Sequence, residues 1–230
     1  MMKKLLLLHG ALASKNQFDH LIPLLNDTLD AEAINFSGHG GTMPNIKGFT
    51  FPVFADDILN YIDSKKIEKI NLFGFSMGGY AALYFAKLHP DRVEKIFTLN
   101  VKFKWDATNS QKEIAGLNAE NMLLKIPSFA NNLMLLQGME MWKKMLDSSS
   151  DMMANLTKQH FLTDSDYEHF MMPILLGIGD RDFTSTIEET IEIFRKIKNA
   201  QMLVLPNTLH PFEKITPEII SSEIKRFFLS

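Results

Sequence analysis

Short apolar runs alternate along this chain with longer segments in which apolar residues recur at helical spacing. Strands that are apolar at nearly every position are buried on both faces, and they occur in parallel sheets that helices cover. The pattern therefore predicts an α/β fold with a mainly parallel sheet and helices on both faces. Six strands are predicted, at residues 4–8, 31–36, 69–75, 95–100, 174–178 and 202–205.

Five helices are predicted between and after these strands. Two have clear start signals: Thr186 with Glu189 forms a capping box, and Thr216 precedes Pro217 at a first helical position. We expect the strand at 31–36 to lie at the edge of the sheet. The predicted helices cover residues 15–25, 52–65, 77–89, 187–198 and 217–229.

One stretch, residues 102–172, breaks the alternation. It shows no convincing strand, and it holds nine of the 14 methionines and both tryptophans. The pattern predicts a core made of residues 1–101 and 173–230, with a helical cap inserted at 102–172. The cap leaves the sheet at the carboxyl end of a strand, and ligands bind outside the carboxyl ends of strands in parallel α/β sheets.

The composition excludes several classes of function. The chain has 230 residues, enough for one sizeable domain, with a net charge of −3 and no long basic cluster, so we expect neither nucleic acid nor an anionic membrane as partner. It has no cysteine, which excludes disulfides, thiolate metal sites and a cysteine nucleophile. No spacing of histidines and carboxylates suggests a metal, and no glycine-rich motif suggests a nucleotide, so no cofactor is expected.

The first residues imitate a signal peptide, because two lysines precede an apolar run at Leu5–Leu8. That run is only four residues long, whereas the apolar region of a signal peptide needs about 7–15. No later stretch approaches the roughly 18 apolar residues of a membrane span. We therefore expect a cytoplasmic protein.

The motif Gly74-Phe75-Ser76-Met77-Gly78 lies between a predicted strand and a predicted helix. A serine on such a tight turn projects its hydroxyl freely, and the glycines leave room for it. The N–H groups at the start of the following helix favour developing negative charge nearby. The motif predicts Ser76 as a nucleophile; the alternative is a glycine-rich turn with an idle serine.

Five motifs in chain order resemble those of the α/β-hydrolase family, over nearly the whole sequence. The order Ser76, Asp182, His210 is also the order of nucleophile, acid and histidine in that fold. The motifs are Leu8-His9-Gly10-Ala11, Ser37-Gly38-His39-Gly40, Gly74-Phe75-Ser76-Met77-Gly78-Gly79, Gly179-Asp180-Arg181-Asp182 and Leu209-His210-Pro211.

The resemblance implies a catalytic triad. Ser76 would be the nucleophile, since a serine hydroxyl near neutral pH needs a base, and His210 would be that base. Asp182 would fix the tautomer of the imidazole and stabilise the imidazolium. Asp180, two residues earlier in the same turn, is the rival for this role.

The resemblance also implies an oxyanion hole formed by the backbone N–H groups of Ala11 and Met77. We expect apolar side chains of the cap and of nearby loops to contact the substrate, although any one of them has packing as its alternative. The candidate substrate-binding residues are Leu12, Phe103, Trp105, Phe129, Trp142 and Phe183.

The sequence departs from the family pattern at three places. It starts at the strand that leads into His9-Gly10, so the sheet is expected to be shortened by two strands at the N-terminus. Asn35-Phe36-Ser37 replaces the usual D-x-P before the G-H-G turn, and Leu209 stands where the family often has glycine. The last departure affects the turn that carries His210.

The predicted function is hydrolysis of a small, largely apolar carboxylic ester through an acyl-enzyme, by a monomer or homodimer. Thioester, amide or C–C bond hydrolysis with the same triad remains an alternative. Serine at position 76 argues against relatives that use a carboxylate nucleophile, such as dehalogenases and epoxide hydrolases. A ligand-binding signalling protein with little turnover is the alternative from another class.

Overall fold

The computed structural model describes residues 2–230. At its centre is a six-stranded sheet in which all neighbouring strands are parallel, in the spatial order β2-β1-β3-β4-β5-β6. The predicted six-stranded parallel sheet is confirmed, and so is the edge position of its second strand. The strands are β1 (Lys3–Leu8), β2 (Leu29–Ile34), β3 (Ile70–Phe75), β4 (Val93–Leu99), β5 (Ile174–Gly179) and β6 (Ala200–Leu205).

The described residues form ten α-helices, and five of these, α4 to α8, lie between β4 and β5 in the chain. No helix within residues 2–230 is both long enough and apolar enough to cross a bilayer. The helices are α1 (Ile22–Leu25), α2 (Phe51–Ser64), α3 (Met77–Leu88), α4 (Ala107–Ala115), α5 (Ala119–Lys125), α6 (Pro127–Gln137), α7 (Met141–Leu156), α8 (Asp164–His169), α9 (Ile187–Lys196) and α10 (Pro217–Leu229).

Two hydrophobic cores lie on opposite faces of the sheet because successive side chains of a strand point to opposite faces. In β1, Leu6 and Leu8 join the core that includes α2, α3 and the insertion at 102–172. Leu5 and Leu7 join the core beneath α1 and α10. All four side chains are buried, which explains why residues 5–8 of this strand are apolar without interruption.

The helix predicted at 15–25 is wrong as a single element. The structure has a 3₁₀ turn at Lys15–Phe18, whose first turn is capped by the Ser14 hydroxyl, and then the short helix α1. Pro23 explains the break, because proline lacks an N–H and its ring clashes with the carbonyl four residues earlier. Proline is tolerated only at the start of a helix, and Pro23 lies in the first turn of α1.

Two histidines are buried together next to the carboxyl ends of β1 and β2. His9 accepts a hydrogen bond from the Phe36 N–H at Nε2, over 3.2 Å, and its Nδ1 lies 2.8 Å from the Gly10 carbonyl oxygen. The ring of His39 lies 5.0 Å from that of His9 and stacks on Phe49 at 4.6 Å. Burial lowers the pKa of His9 to about 4; burial and the neighbouring His9 lower the pKa of His39 to about 3.

These depressed pKa values make stability depend on pH. Above pH 6.5, the ordinary value, both histidines are neutral in the folded and unfolded chains; below it, only the unfolded chain gains protons. Stability is therefore lost as the pH falls from about 6.5 towards 4, by about 2 kcal/mol per histidine at pH 5. We expect His39→Gln to reduce this loss, because glutamine does not titrate.

The measurement is the free energy of unfolding in urea between pH 8 and pH 4.5. Phe49→Leu serves as control, since it removes part of the stacking on His39 without removing a titrating group, and it should lower stability equally at all pH values. An equally steep pH dependence in His39→Gln and Phe49→Leu would contradict the assignment.

Candidate active site

Ser76 occupies a strained turn at the carboxyl end of β3. Its φ of 50° and ψ of −117° lie in a region that residues with a side chain rarely adopt. Two contacts hold the turn. The Ser76 N–H donates to the Leu99 carbonyl oxygen over 2.8 Å, and helix α3 begins at the next residue. The hydroxyl is thereby raised above the sheet edge.

Gly74 and Gly78 permit this turn because no side chain would fit at either position. A Cβ on Gly78 would overlap the carbonyl oxygen of Leu8 in β1, and one on Gly74 would overlap the backbone of Gly78 and Gly79. The start of α3 can therefore lie directly against two strands. This close approach aims the N-terminus of α3 at the space beside Ser76.

The imidazole of His210 is hydrogen-bonded to Asp182, with 2.7 Å between Nδ1 and Oδ2. Asp182 follows β5 and His210 follows β6, and these strands are neighbours in the sheet. The carboxylate of Asp182 is fully buried, and its other oxygen accepts hydrogen bonds from the N–H groups of Thr184 and Ser185. Because Nδ1 faces a carboxylate, it carries the proton and leaves Nε2 as the acceptor.

Asp180, the rival acid, lies elsewhere in the same turn. Its side chain accepts a hydrogen bond from the Thr208 N–H over 3.2 Å. That contact joins the loops after β5 and β6. Asp180 thus stabilises the loops, whereas Asp182 contacts the histidine.

Ser76 and His210 both line one cavity of about 950 Å³. Within residues 2–230 no hydrogen bond joins the Ser76 hydroxyl to His210, and catalytic hydrogen bonds often tighten only when substrate is present. His210 is 16% exposed, so its ring has access to the cavity while Asp182 behind it has none.

Ala11 and Met77, whose backbone N–H groups were predicted to form the oxyanion hole, line the same cavity as Ser76. Neither N–H has an acceptor among the described residues. The first N–H groups of a helix have no partner inside it, which accounts for Met77. Ala11 belongs to the loop after β1 and is only partly buried.

Three of the six candidate substrate-binding residues line the cavity: Leu12, Trp105 and Phe129. Its wall also contains apolar side chains of α6 and α7 that the sequence pattern did not single out. They share helical spacing with the core residues, so no local signal distinguishes them. They are Leu133, Leu136, Met152, Met153 and Leu156.

The other three candidates lie outside this cavity. Trp142 is 2% exposed and packs inside the insertion, and Phe103 is buried with its ring 6.2 Å from that of Tyr167. Phe183 is 64% exposed, with its ring 6.3 Å from that of His210. The first two aromatic side chains are therefore part of the hydrophobic core and not of the cavity wall.

Several polar residues that sequence reasoning missed also line the cavity, among them Gln17, Tyr80 and Lys102. The Tyr80 hydroxyl accepts a hydrogen bond from the Leu162 N–H, and burial raises its pKa to about 12, so it stays neutral at physiological pH. Within residues 2–230, no cluster of three or more histidines and carboxylates could hold a metal ion.

Comparisons with known proteins show the family to which this fold belongs. The alpha/beta hydrolase fold family matches residues 3–138. A pimeloyl-[acyl-carrier protein] methyl ester esterase of Neisseria meningitidis is 37% identical over 94 residues, which is 41% of this chain and 34% of that protein. The chain thus spans about a third of the length of the curated relatives it matches first.

Solved structures show the same fold over the whole chain. A thermophilic esterase of Thermogutta terrifontis is 19% identical with a TM-score of 0.79, covering 99% of this chain and 89% of that one. The enol-lactonase of Burkholderia xenovorans is 17% identical with a TM-score of 0.80, covering 100% and 92%.

Proposed function

The chain belongs to the α/β-hydrolase fold family, and from this premise we propose that it is a serine hydrolase that cleaves a small, largely apolar carboxylic ester. One observation carries the proposal: His210, which is hydrogen-bonded to Asp182, lines the same cavity as the strained Ser76. The proposed nucleophile, base and orienting acid come from three separate loops at the carboxyl edge of the sheet. The relative in Neisseria meningitidis, named a methyl ester esterase, supports the choice of an ester.

In the first half of the proposed reaction, the Ser76 oxygen attacks the carbonyl carbon of the ester. His210 accepts the hydroxyl proton at Nε2, and Asp182 stabilises the imidazolium that forms. The carbonyl oxygen becomes negatively charged and takes hydrogen bonds from the Ala11 and Met77 N–H groups. The C–O bond to the alcohol then breaks, and the alcohol leaves with the proton from His210.

In the second half, His210 removes a proton from water, which attacks the acyl-Ser76 carbonyl. The same two N–H groups stabilise the second oxyanion. Collapse returns the proton to the Ser76 oxygen and releases the carboxylic acid. Each half therefore uses the same three side chains, which is why their losses should not be additive.

The insertion at 102–172 is proposed to act as a cap that selects apolar acyl groups. The insertion contributes Trp105, Phe129 and leucines and methionines of α6 and α7 to the cavity wall. Methionine is flexible and polarisable, so such a wall adapts to unbranched chains. A wall of this kind supplies binding energy in proportion to the apolar area that it covers.

We predict that Ser76→Ala abolishes turnover of activated esters, by up to about 10⁶-fold in kcat, because the triad acts as a unit. Purified protein should be assayed with ester, thioester and amide probes, whose order of rates identifies the bond cleaved. A variant that keeps a tenth of the activity would place the nucleophile elsewhere. A chromophore burst without later turnover would favour a ligand-binding protein.

Asp182→Asn should lower kcat by about 10⁴-fold, because the amide favours the wrong tautomer of the His210 imidazole. Asp180→Asn is the matched control in the same turn, and it should weaken the loop contact to Thr208 with little effect on kcat. Steady-state rates of both variants decide between the two acids. A larger loss in Asp180→Asn would assign the role to Asp180.

We also predict that kcat/KM rises about three- to fourfold per methylene from acetyl to hexanoyl esters, because each buried methylene contributes about 0.8 kcal/mol. Trp105→Ala should flatten this profile, since Trp105 lines the cavity. Trp142→Ala is the control, a tryptophan buried in the insertion away from the cavity. It should lower the melting temperature and leave the profile unchanged.

Rates are to be measured well below the melting temperature of each variant. A flat wild-type profile would refute the apolar pocket, while leaving the triad untouched. Equal flattening by both tryptophan variants would show that the insertion acts through its packing and not through contact with the acyl chain.

A further inference from the structure

We infer that Gln137, in the insertion, is a positioning residue that holds the loop at residues 10–13 in the conformation that presents the Ala11 N–H to the oxyanion. The inference rests on the proposed function, because that function gives the Ala11 N–H its task. Gln137 is the last residue of α6 and does not line the cavity. It therefore acts through the loop and not on the substrate.

The amide of Gln137 makes three hydrogen bonds to backbone groups of the core, although it is only 2% exposed. Its Nε2 donates to the carbonyl oxygens of Leu12, over 3.0 Å, and Ala13, over 3.2 Å. Its Oε1 accepts from the Gly40 N–H over 2.6 Å. One side chain thus joins the loop after β1 to the turn after β2.

The loop needs such support because its own backbone bonds are few. Leu12 has a φ of 63°, a left-handed conformation that costs a residue with a side chain about 1 kcal/mol or more. The loop contains a single backbone turn bond, from the Ala13 N–H to the Gly10 carbonyl oxygen at 3.3 Å. The hydrogen bonds of Gln137 fix the peptide groups on both sides of Ala13. One of these groups carries the Leu12 carbonyl, and Leu12 follows Ala11 directly in the chain.

Other side chains hold the two ends of the same loop. At the first residue of the loop, the Gly10 N–H donates to Gln17 Oε1 over 3.0 Å. After the loop, the Lys15 N–H donates to Asn35, whose Nδ2 in turn donates to the Gly40 carbonyl oxygen. Both ends are therefore anchored within the core, and the middle is anchored from the insertion.

A packing role alone does not account for this residue. A buried amide without partners costs about 1–3 kcal/mol, and an apolar side chain of the same size would fill the space without that cost. Here two donors and one acceptor match three backbone groups. Polar contacts that set the direction of backbone N–H groups are what a preorganised oxyanion hole requires.

The test uses two variants. Gln137→Met keeps the side-chain volume and removes all three hydrogen bonds. Gln137→Glu keeps the acceptor for the Gly40 N–H but replaces the donor to the Leu12 and Ala13 carbonyls with an oxygen that cannot donate. We expect both to lower kcat for activated esters about 10- to 100-fold, with KM changed less than threefold, since the loss of one oxyanion donor costs about 10²- to 10³-fold. A trifluoromethyl ketone, which forms an oxyanion on Ser76, should lose affinity in parallel with kcat/KM. The corresponding methyl ketone should not.

Ser110→Ala is the matched control, because the buried Ser110 hydroxyl bonds to the Met153 carbonyl within the insertion and away from the loop. It should lower the melting temperature and leave kcat and the ketone affinities unchanged. Equal effects of Gln137→Met and Ser110→Ala on all these quantities would overturn the inference. So would a Gln137→Glu variant with normal kcat.

Backbone hydrogen exchange separates this inference from the proposed function. Exchange of the amides at residues 10–13 should be at least tenfold faster in Gln137→Met than in Ser110→Ala, whether or not the protein turns over esters. Unchanged exchange would overturn the inference while the triad stands. Full activity of Ser76→Ala would refute the proposed function, and exchange would still decide whether Gln137 positions the loop.

Discussion

The close approach of helix α3 to strands β1 and β3 is the constraint on which the rest of the structure depends. It requires Gly74 and Gly78, because a Cβ at either position would overlap backbone atoms. The approach in turn imposes the strained conformation of Ser76, with its φ of 50°. Such strain persists only where surrounding contacts determine it, and here both strands and the first turn of α3 do so.

A parallel sheet then brings the remaining groups to the same place. All six strands run in one direction, so the loops after β1, β3, β5 and β6 emerge at one edge. These loops carry Ala11, Ser76, Asp182 and His210 respectively. The pairing of β5 with β6 places Asp182 and His210 within hydrogen-bond distance across 28 residues of sequence. The geometry of the pair is thus a consequence of strand order.

Local signals were sufficient to predict the sheet and the turn that leads into α3. The apolar run and the glycines predicted β3 and the start of α3 to within one residue. Strand β2 lies two residues earlier than predicted, because the edge position allows Asp30 and Glu32 to face solvent, where they pair with lysines. The insertion was predictable only as helical, since apolar spacing shows that a side chain is buried but not against what. Trp105 and Trp142 look alike in sequence, and only the fold separates a cavity wall from a packed interior.

Gln137 shows most clearly what the sequence alone could not predict. Two of its partners are backbone carbonyls more than 120 residues away and the third is the Gly40 N–H, and backbone groups leave no pattern in sequence. The same insertion that provides apolar side chains to the cavity also holds the loop that carries the Ala11 N–H. A substitution that shifts α6 to admit a different acyl group would therefore move Gln137 as well. Under the proposed function, α6 couples acyl selectivity to oxyanion stabilisation. We therefore expect changes in the wall of α6 to alter kcat as well as KM, whereas changes in α7 alter KM alone.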